Sequence, residues 1–298
     1  MKDTPLEQAA HFLPLSLREA VLQGGRDAEE IRLRNGQPLH LTGRDGREYP
    51  VLQGTRPLIV TSEMMSRTLE RVTGASYHTV AEKLSQGFVS LDGGHRLGVA
   101  GTVDVSGGKV HGFRSISSLC LRIAHEVPGV GEAWSQALFG GAELRSVLIL
   151  APPGAGKTTL LRDLIRLASD RHHLRVGLTD ERGEVAALRN GMPQLCVGEQ
   201  TDVLDGCPKA EGLLLLMKTM NPQLLAADEI TAPGDVQALS VAANCGVALL
   251  ATAHGASLRE LERRPLYRRL LQEGIFTHVM LIRRDGPRRW IQLEALHD

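Results

Sequence analysis

The spacing of apolar residues predicts short helices and then strands in the first part of the chain. Helical spacing with a break at Pro14 predicts two short helices within residues 4–24. Apolar and polar residues then alternate around Asn35-Gly36, which predicts a β-hairpin because this dipeptide suits a tight turn. The residues expected to face inward in this hairpin are Ile31, Leu33, Leu39 and Leu41.

Two further helices and a β-rich stretch follow. One helix is predicted from Thr61 or Ser62 to about Val72, and another over residues 79–86. The strands expected after them are Phe88–Leu91, Arg96–Val105, Lys109–Phe113 and Leu119–Ala124. We therefore predict an α+β domain over residues 1–128, a linker over 129–144 and a second domain over 145–298.

In the second domain, short apolar runs alternate with segments of helical spacing. This alternation is typical of a mainly parallel sheet flanked by helices. The predicted strands are Ser146–Leu150, Leu174–Thr179, Gln223–Ala227 and Gly246–Ala253, with a closing hairpin formed by His278–Arg283 and Arg289–Leu293. The helices are expected after the first strand, over Lys209–Met220 and over Pro233–Asn244.

The loop after the first of these strands has the pattern of a phosphate-binding loop. Glycines at 154 and 156 let the backbone turn so that N–H groups, and the start of the next helix, face phosphate oxygens. Lys157 is expected to reach the β- and γ-phosphates of ATP, and the Thr158 hydroxyl to bind Mg²⁺. Ala151 departs from the usual first glycine, although a small residue still fits. The predicted nucleotide-binding residues are Ala151, Pro152, Pro153, Gly154, Ala155, Gly156, Lys157, Thr158 and Thr159.

Polar residues at the ends of three other strands are candidates for the chemistry of hydrolysis. Asp228 is predicted to hold Mg²⁺ through a water molecule, and Glu229 to polarise the attacking water. Glu181 is either a second residue that positions this water or an ordinary acid at a strand end. His254 is predicted to lie beside the γ-phosphate and to sense hydrolysis.

Arginines form two further groups of candidates. Arg96, Arg114 and Arg122 are either solvated strand residues or cations that reach an ATP phosphate, in cis or from a neighbouring subunit. Of these, Arg122 is the first candidate and Arg96 the second. Eight arginines lie between residues 263 and 289, against two acids. They form either a docking face for an acidic partner, nucleic acid or membrane, or a solvated edge.

The composition of the chain indicates which partners, metal sites and compartment to expect. The 298 residues are 42% hydrophobic with a formal net charge of zero, so nucleic acid is not a favoured partner. The four cysteines have no metal-ligand spacing, so we expect no stable metal cluster and a reducing compartment. No apolar run is long enough to span a bilayer and no signal peptide is evident, so we expect a soluble, cytoplasmic protein.

Several blocks of the sequence resemble the stage III sporulation protein AA family. They are Gly93–Gly101, Ser115–Ala124, Pro152–Leu161, Asp180–Glu184, Asn221–Ile230 and Ala251–Gly255. That family is similar to the hexameric ATPases of type II and type IV secretion and pilus systems. The resemblance implies a RecA-like/AAA+ P-loop NTPase domain, ATP and Mg²⁺ as ligands, and a homo-hexamer. It also implies membrane-anchored sporulation channel proteins as partners and a peripheral position on the mother-cell side.

The resemblance also assigns positions to motifs. Thr252 and His254 fall where secretion ATPases carry a histidine box, and Asp180-Glu181 falls near their aspartate box. The leading hypothesis is an ATP-driven motor of a secretion-like channel in endospore formation. The alternatives are a nucleotide-dependent docking or switch module with slow turnover and a nucleic-acid-associated ATPase. A small-molecule kinase is disfavoured because the sequence shows no evident acceptor pocket or lid.

Overall fold

The computed structural model describes residues 3–25, 27–73, 87–285 and 288–296. The chain forms two compact units, Met1–His125 and Glu126–Asp298. The helix predicted over residues 79–86 lies outside the described residues.

Within residues 3–25, 27–73 and 87–125, the first unit contains three α-helices and an antiparallel sheet. Its helices are α1 (Pro5–Ala10), α2 (Leu15–Gly24) and α3 (Ser62–Thr73), so the predicted break at Pro14 is confirmed. Its strands are β1 (Ala28–Arg34), β2 (His40–Gly43), β3 (Glu48–Pro50), β4 (Leu52–Gln53), β5 (Arg56–Pro57), β6 (Phe88–Ser90), β7 (Arg96–Ser106) and β8 (Lys109–Arg122). Six of them form a sheet in the order β3-β2-β1-β8-β7-β6, and β4 pairs with β5.

The hairpin predicted around Asn35-Gly36 is confirmed, since β1 pairs antiparallel with β2. Its four predicted inward residues are each no more than 5% exposed and belong to the core of this unit. The prediction of separate strands over Lys109–Phe113 and Leu119–Ala124 is wrong, because β8 is continuous from Lys109 to Arg122. The polar residues between them remain in the strand because β7 pairs with β8 along its whole length, beyond the buried part of the sheet.

The second unit is an α/β layer structure around a seven-stranded sheet. Its strands are β9 (Val147–Ala151), β10 (Val176–Asp180), β11 (Leu188–Arg189), β12 (Met192–Pro193), β13 (Thr201–Asp205), β14 (Leu224–Ala227), β15 (Ala248–His254), β16 (His278–Asp285) and β17 (Arg288–Ala295). The main sheet has the order β13-β10-β14-β15-β9-β16-β17, and every neighbouring pair is parallel except β16 and β17.

Helices cover both faces of this sheet. They are α4 (Glu132–Phe139), α5 (Lys157–Asp170), α6 (Lys209–Thr219), α7 (Pro233–Asn244), α8 (Leu258–Glu262) and α9 (Pro265–Gln272). Residues of α5 pack in one apolar cluster, and residues of α6 and α7 pack in another. The mainly parallel sheet was predicted from the sequence, but the edge strand β13 and the helices α8 and α9 were not.

The span 129–144, which we expected to be a linker, contains helix α4. Leu138 is fully buried and Phe139 is 3% exposed, both within the apolar cluster that contains α5. The backbone N–H groups of Gly129 and Gly131 also donate to the carboxylate of Asp163 in α5. The segment is therefore an integral part of the second unit, because it buries apolar surface there.

Candidate nucleotide-binding site

The predicted phosphate loop lies between β9 and α5. Gly154 has φ 70° and Gly156 has φ 100°, backbone angles that glycine adopts without the steric cost of a side chain. Ala155 between them is 4% exposed and packs in the apolar cluster of α5, so the loop is anchored to the core. The loop thus leads directly to the first turn of a 14-residue helix, whose free N–H groups favour anions.

Ala151 replaces the usual first glycine because its position needs no special backbone angle. It is the last residue of β9, pairs in register with His254, and is fully buried. Its carbonyl oxygen accepts a hydrogen bond from the Gly255 N–H at 3.2 Å. The methyl group therefore fills space in the core, and the loop begins one residue later.

Lys157 is only 6% exposed and occupies the inner side of the loop. Its Nζ lies 3.4 Å from the carbonyl oxygens of both Ala151 and Pro152. Burial lowers the pKa of Lys157, while the carboxylates of Asp228 and Glu229 oppose that shift. A buried ammonium in this setting gains from any additional anion that approaches the loop.

His254 joins Lys157 to Glu229. The Lys157 Nζ lies 2.7 Å from His254 Nδ1, and His254 Nε2 lies 3.0 Å from Glu229 Oε1. Because an ammonium group only donates hydrogen bonds, Nδ1 accepts and Nε2 carries the proton that it shares with Glu229. This network assigns the tautomer of His254 and orients the carboxylate of Glu229.

Asp228 accepts hydrogen bonds from two threonines. Thr158 Oγ1 donates to one carboxylate oxygen at 2.7 Å, and Thr252 Oγ1 donates to the other at 2.6 Å. Thr252 Oγ1 also accepts the backbone N–H of Glu229 at 2.8 Å. The hydroxyl of Thr158 and the carboxylate of Asp228 thus lie together at the loop, and such hard oxygen ligands suit Mg²⁺. These residues fit the predicted metal ion.

Glu229 has an unusual backbone conformation, with φ 57° in the left-handed region. Its other carboxylate oxygen accepts from Arg182 Nη1 at 3.2 Å, and its carbonyl oxygen accepts from Lys209 Nζ at 2.7 Å. A strained residue held by several partners is a common feature of functional sites. Neither Arg182 nor Lys209 was predicted from the sequence as a site residue, although Arg182 directly follows Asp180-Glu181.

Glu181 lies at the periphery of this arrangement. Its Oε2 is 3.3 Å from Lys209 Nζ, and its side chain is 42% exposed, whereas that of Glu229 is 26% exposed. The preceding residue, Asp180, is 2% exposed and accepts backbone N–H groups of residues 184–187. Asp180 therefore fixes the turn that carries Glu181 and Arg182.

The three candidate arginines of the first unit lie on its long strands. Arg122 is 63% exposed, and its Nε lies 3.2 Å from Glu30 Oε1. Arg96 faces Arg122 in the register of β7 and β8 and lies over the ring of Phe88 at 3.6 Å. Arg114 pairs with Asp104 at 3.0 Å. The roles predicted for Arg96 and Arg122 at a nucleotide stay predictions.

Several arginines of the C-terminal group have partners within the second unit. Arg264 contacts the carboxylate of Glu260 and donates to the carbonyl oxygen of His254 at 2.8 Å. Arg269 pairs with Glu273 at 3.0 Å. These contacts favour a structural role for part of the group over a uniform docking face.

Comparisons with known proteins agree with this fold. The model of the family described as "Sporulation stage III, protein AA" matches residues 5–292. Stage III sporulation protein AA of Bacillus subtilis (strain 168) is 38% identical over 291 residues, which is 95% of this chain and 92% of that protein.

Two solved structures are similar over most of the chain. The ATPase DotB of Legionella pneumophila has a TM-score of 0.60 and 17% identity, covering 91% of this chain and 78% of DotB. The pilus retraction motor PilT with bound ADP has a TM-score of 0.62 and 17% identity, covering 93% of this chain and 80% of PilT. The predicted P-loop NTPase fold with a preceding α+β unit is confirmed. Within the described ranges, the helices are too short or too polar to cross a bilayer.

Proposed function

The chain belongs to the sporulation stage III protein AA family, and on that premise we propose that it binds and hydrolyses ATP with Mg²⁺. The observation that carries this proposal is the convergence of the ends of β14 and β15 on the loop that follows β9. Lys157 and Thr158 lie within hydrogen-bonding distance of His254 and Asp228, respectively, and His254 in turn contacts Glu229. A connection between a strand and a helix that binds no ligand does not require a cation, a hydroxyl group and acids to lie together in this way.

Each residue has a proposed part in the reaction. The loop amides and Lys157 bind and orient the β- and γ-phosphates. Glu229 takes a proton from the water whose oxygen attacks the γ-phosphorus, while the bond to the β–γ bridging oxygen breaks and ADP leaves. Thr158 and Asp228 would hold Mg²⁺, Asp228 through a water, and the ion would neutralise phosphate charge.

His254 and Arg182 are proposed to position Glu229 from two sides. His254 Nε2 and Arg182 Nη1 contact different oxygens of the carboxylate, at 3.0 and 3.2 Å. Contacts to both oxygens fix the plane of the carboxylate, and such orientation contributes to catalysis by a general base. Since His254 also touches Lys157, a change at the phosphate site can be transmitted to Glu229.

At the level of the cell, we propose a cytoplasmic motor of a channel complex in endospore formation. The motor would be a homo-hexamer and lie peripherally on the mother-cell side, with membrane-anchored sporulation channel proteins as partners. The fold shared with a pilus retraction motor and with an ATPase motivates this role. A nucleotide-dependent switch with slow turnover is the alternative, supported by the contact that already occupies Lys157.

The test measures ATP hydrolysis over a range of protein concentrations, with native mass recorded at each concentration. A rate per chain that rises as oligomers form supports the motor. ATP binding with a Mg²⁺ requirement but negligible turnover at every oligomeric state supports the switch. If the folded protein binds no ATP, or if Lys157→Ala binds it equally well, the nucleotide function is wrong.

A further inference from the structure

Arg289, one of the eight C-terminal arginines, lies beside the phosphate loop. Its Nη1 is 3.3 Å from the position that a Cβ atom on Gly156 would occupy. Gly156 is the residue immediately before helix α5, at the end of the loop opposite to Ala151. A guanidinium group therefore borders the part of the loop where the amide groups lead into the helix.

The register of the β16–β17 hairpin explains why this arginine reaches the loop. Ile282 pairs with Ile291, and both pack in the apolar cluster that contains residues of α5. Because side chains two residues apart in a strand share a face, Arg289 lies on the same face as Ile291. Arg283 pairs with Trp290, so these two side chains lie on the opposite face.

Strand direction brings Arg289 to the correct edge of the sheet. Strand β16 runs parallel to β9 and β17 runs antiparallel to β16. The beginning of β17 is therefore at the carboxyl edge, where β9 ends and the phosphate loop begins. Ligands bind at this edge in sheets of this kind.

Arg289 has no acidic partner within the part of the chain that the structure describes. Among the residues that the structure describes, none forms a side-chain hydrogen bond or ion pair with Arg289, whereas Arg264 and Arg269 each pair with a glutamate. Lys157 contacts carbonyl groups at the beginning of the loop, and Arg289 borders its end. The two cations thus lie near opposite ends of the glycine loop, and both favour the binding of an anion there.

We propose that Arg289 binds the phosphate chain of the nucleotide, in the same subunit as the loop. This inference rests on the proposed function and adds a contact residue that the loop motif does not contain. A guanidinium group offers two parallel N–H donors to phosphate oxygens, and charge-assisted bonds of this type are strong. Arg289 would then contact the polyphosphate part of the nucleotide and not its base.

The experiment measures dissociation constants of the full-length wild type, Arg289→Ala, Arg289→Lys and Arg283→Ala for two probes, MgATP and magnesium tripolyphosphate. Arg283 is the matched control because it is exposed, lies on the same hairpin and faces the other way. We expect Arg289→Ala to raise the dissociation constants of both probes by about 10- to 100-fold, which is the range for the loss of a charge-assisted contact. Arg289→Lys should recover part of this loss, and Arg283→Ala should match the wild type.

Other results overturn the inference. Equal affinities of wild type and Arg289→Ala for both probes remove Arg289 from the site while leaving ATP binding intact. A loss for MgATP alone assigns Arg289 to the nucleoside and contradicts a phosphate contact. An equal loss in Arg283→Ala reveals a general effect of hairpin charge. A wild type that binds neither probe overturns the proposed function itself. Melting temperatures without ligand identify any variant that fails to fold, and Arg289→Lys then replaces Arg289→Ala in the comparison.

Discussion

The Nζ of Lys157 lies 2.7 Å from Nδ1 of His254, so the phosphate loop and the end of β15 are connected through two side chains. The other ring nitrogen of His254 contacts Glu229, which is the proposed general base. A phosphate that binds Lys157 competes with His254 for the ammonium group. The contact therefore couples occupation of the loop to the position of the base.

Replacing His254 with Ala is expected to slow ATP hydrolysis by about 10- to 100-fold, because Glu229 loses one of its two orienting partners. ATP affinity should change by less than about threefold, since Lys157 and the loop amides remain. Single-turnover rates and binding of labelled ATP measure these quantities separately. His173→Asn is the control, because Asn tolerates the left-handed backbone of this exposed residue, φ 53°. Unchanged turnover in His254→Ala would contradict the coupling.

Lys157→Ala is expected to abolish detectable ATP binding and turnover without loss of the fold. Burial lowers the pKa of Lys157, which means that the charged form is disfavoured in the folded protein relative to the unfolded chain. Its removal should therefore leave the melting temperature unchanged or raise it. Thermal unfolding and isothermal titration with MgATP provide the two measurements. The exposed Lys218→Ala should behave as the wild type in both.

Glu229→Gln is expected to bind ATP and to hydrolyse it at least about 100-fold more slowly, as is usual when a general base is lost. Glu181→Gln should have a smaller effect, because Glu181 is more exposed and contacts Lys209 only at 3.3 Å. Steady-state phosphate release compares the two variants, with the exposed Glu211→Gln as control. An inactive Glu181→Gln beside an active Glu229→Gln would reverse the assignment.

Arg122 is expected to complete the active site of a neighbouring subunit. Such an arginine contributes roughly 10³-fold or more to phosphoryl transfer, so Arg122→Ala should be nearly inactive although its own loop is intact. Its pairing with Glu30 is exposed on the arginine side and is therefore weak enough to exchange for a phosphate.

Mixing inactive Lys157→Ala with inactive Arg122→Ala tests this directly. If Arg122 acts in trans, some interfaces in mixed oligomers join an intact loop to an intact arginine, and phosphate release partly returns. Phosphate release is compared with that of a mixture of Lys157→Ala and Arg114→Ala, in which the replaced arginine is one that pairs with Asp104. No recovery in oligomers that demonstrably contain both variants would exclude the trans role, as would full activity of Arg122→Ala alone.

His95 is expected to make stability depend on pH. Burial lowers its pKa from 6.5 to about 4, and the charge of His125 adds to the shift. The neutral ring, which is 1% exposed, accepts the Ala124 N–H through Nδ1 at 3.0 Å. Because the pKa of His95 is lower in the folded protein than in the unfolded chain, its neutral ring contributes stability that is fully present above about pH 6.5. This stability is lost as pH falls toward 4, and the free energy of unfolding then decreases by at most about 3 kcal/mol.

Denaturant unfolding between pH 7 and pH 4 measures this loss. His95→Gln should be less stable than the wild type at pH 7 but show a flatter dependence on pH, since its side chain does not titrate. His111→Gln, which changes an exposed residue of a strand, should keep the wild-type dependence of the free energy of unfolding on pH. A wild-type slope in His95→Gln would assign the pH dependence to other groups.

The local signals of the chain predicted much of the second unit. The strand, the glycine loop and the helix follow from residues that are neighbours in sequence, because glycine angles and helix periodicity are local properties. Acids at strand ends were found for a related reason, since parallel strands bring their carboxyl ends to one edge. Local signals gave a wrong expectation for two segments. Residues 129–144 are part of the second unit because they pack against α5. Residues 109–124 were expected to form two strands, but pairing with β7 keeps one strand continuous there.

The contacts among the candidate residues depend on tertiary structure. The sequence by itself identified Lys157, Asp228 and Glu229 as candidates, but it could not show that His254 links the lysine to the glutamate. Nor could it distinguish Arg289 from seven other arginines, because that choice depends on the register of β17 against β16. Register and strand order are fixed by packing between residues far apart in the chain, since a shift of one position would reverse every side chain of the strand.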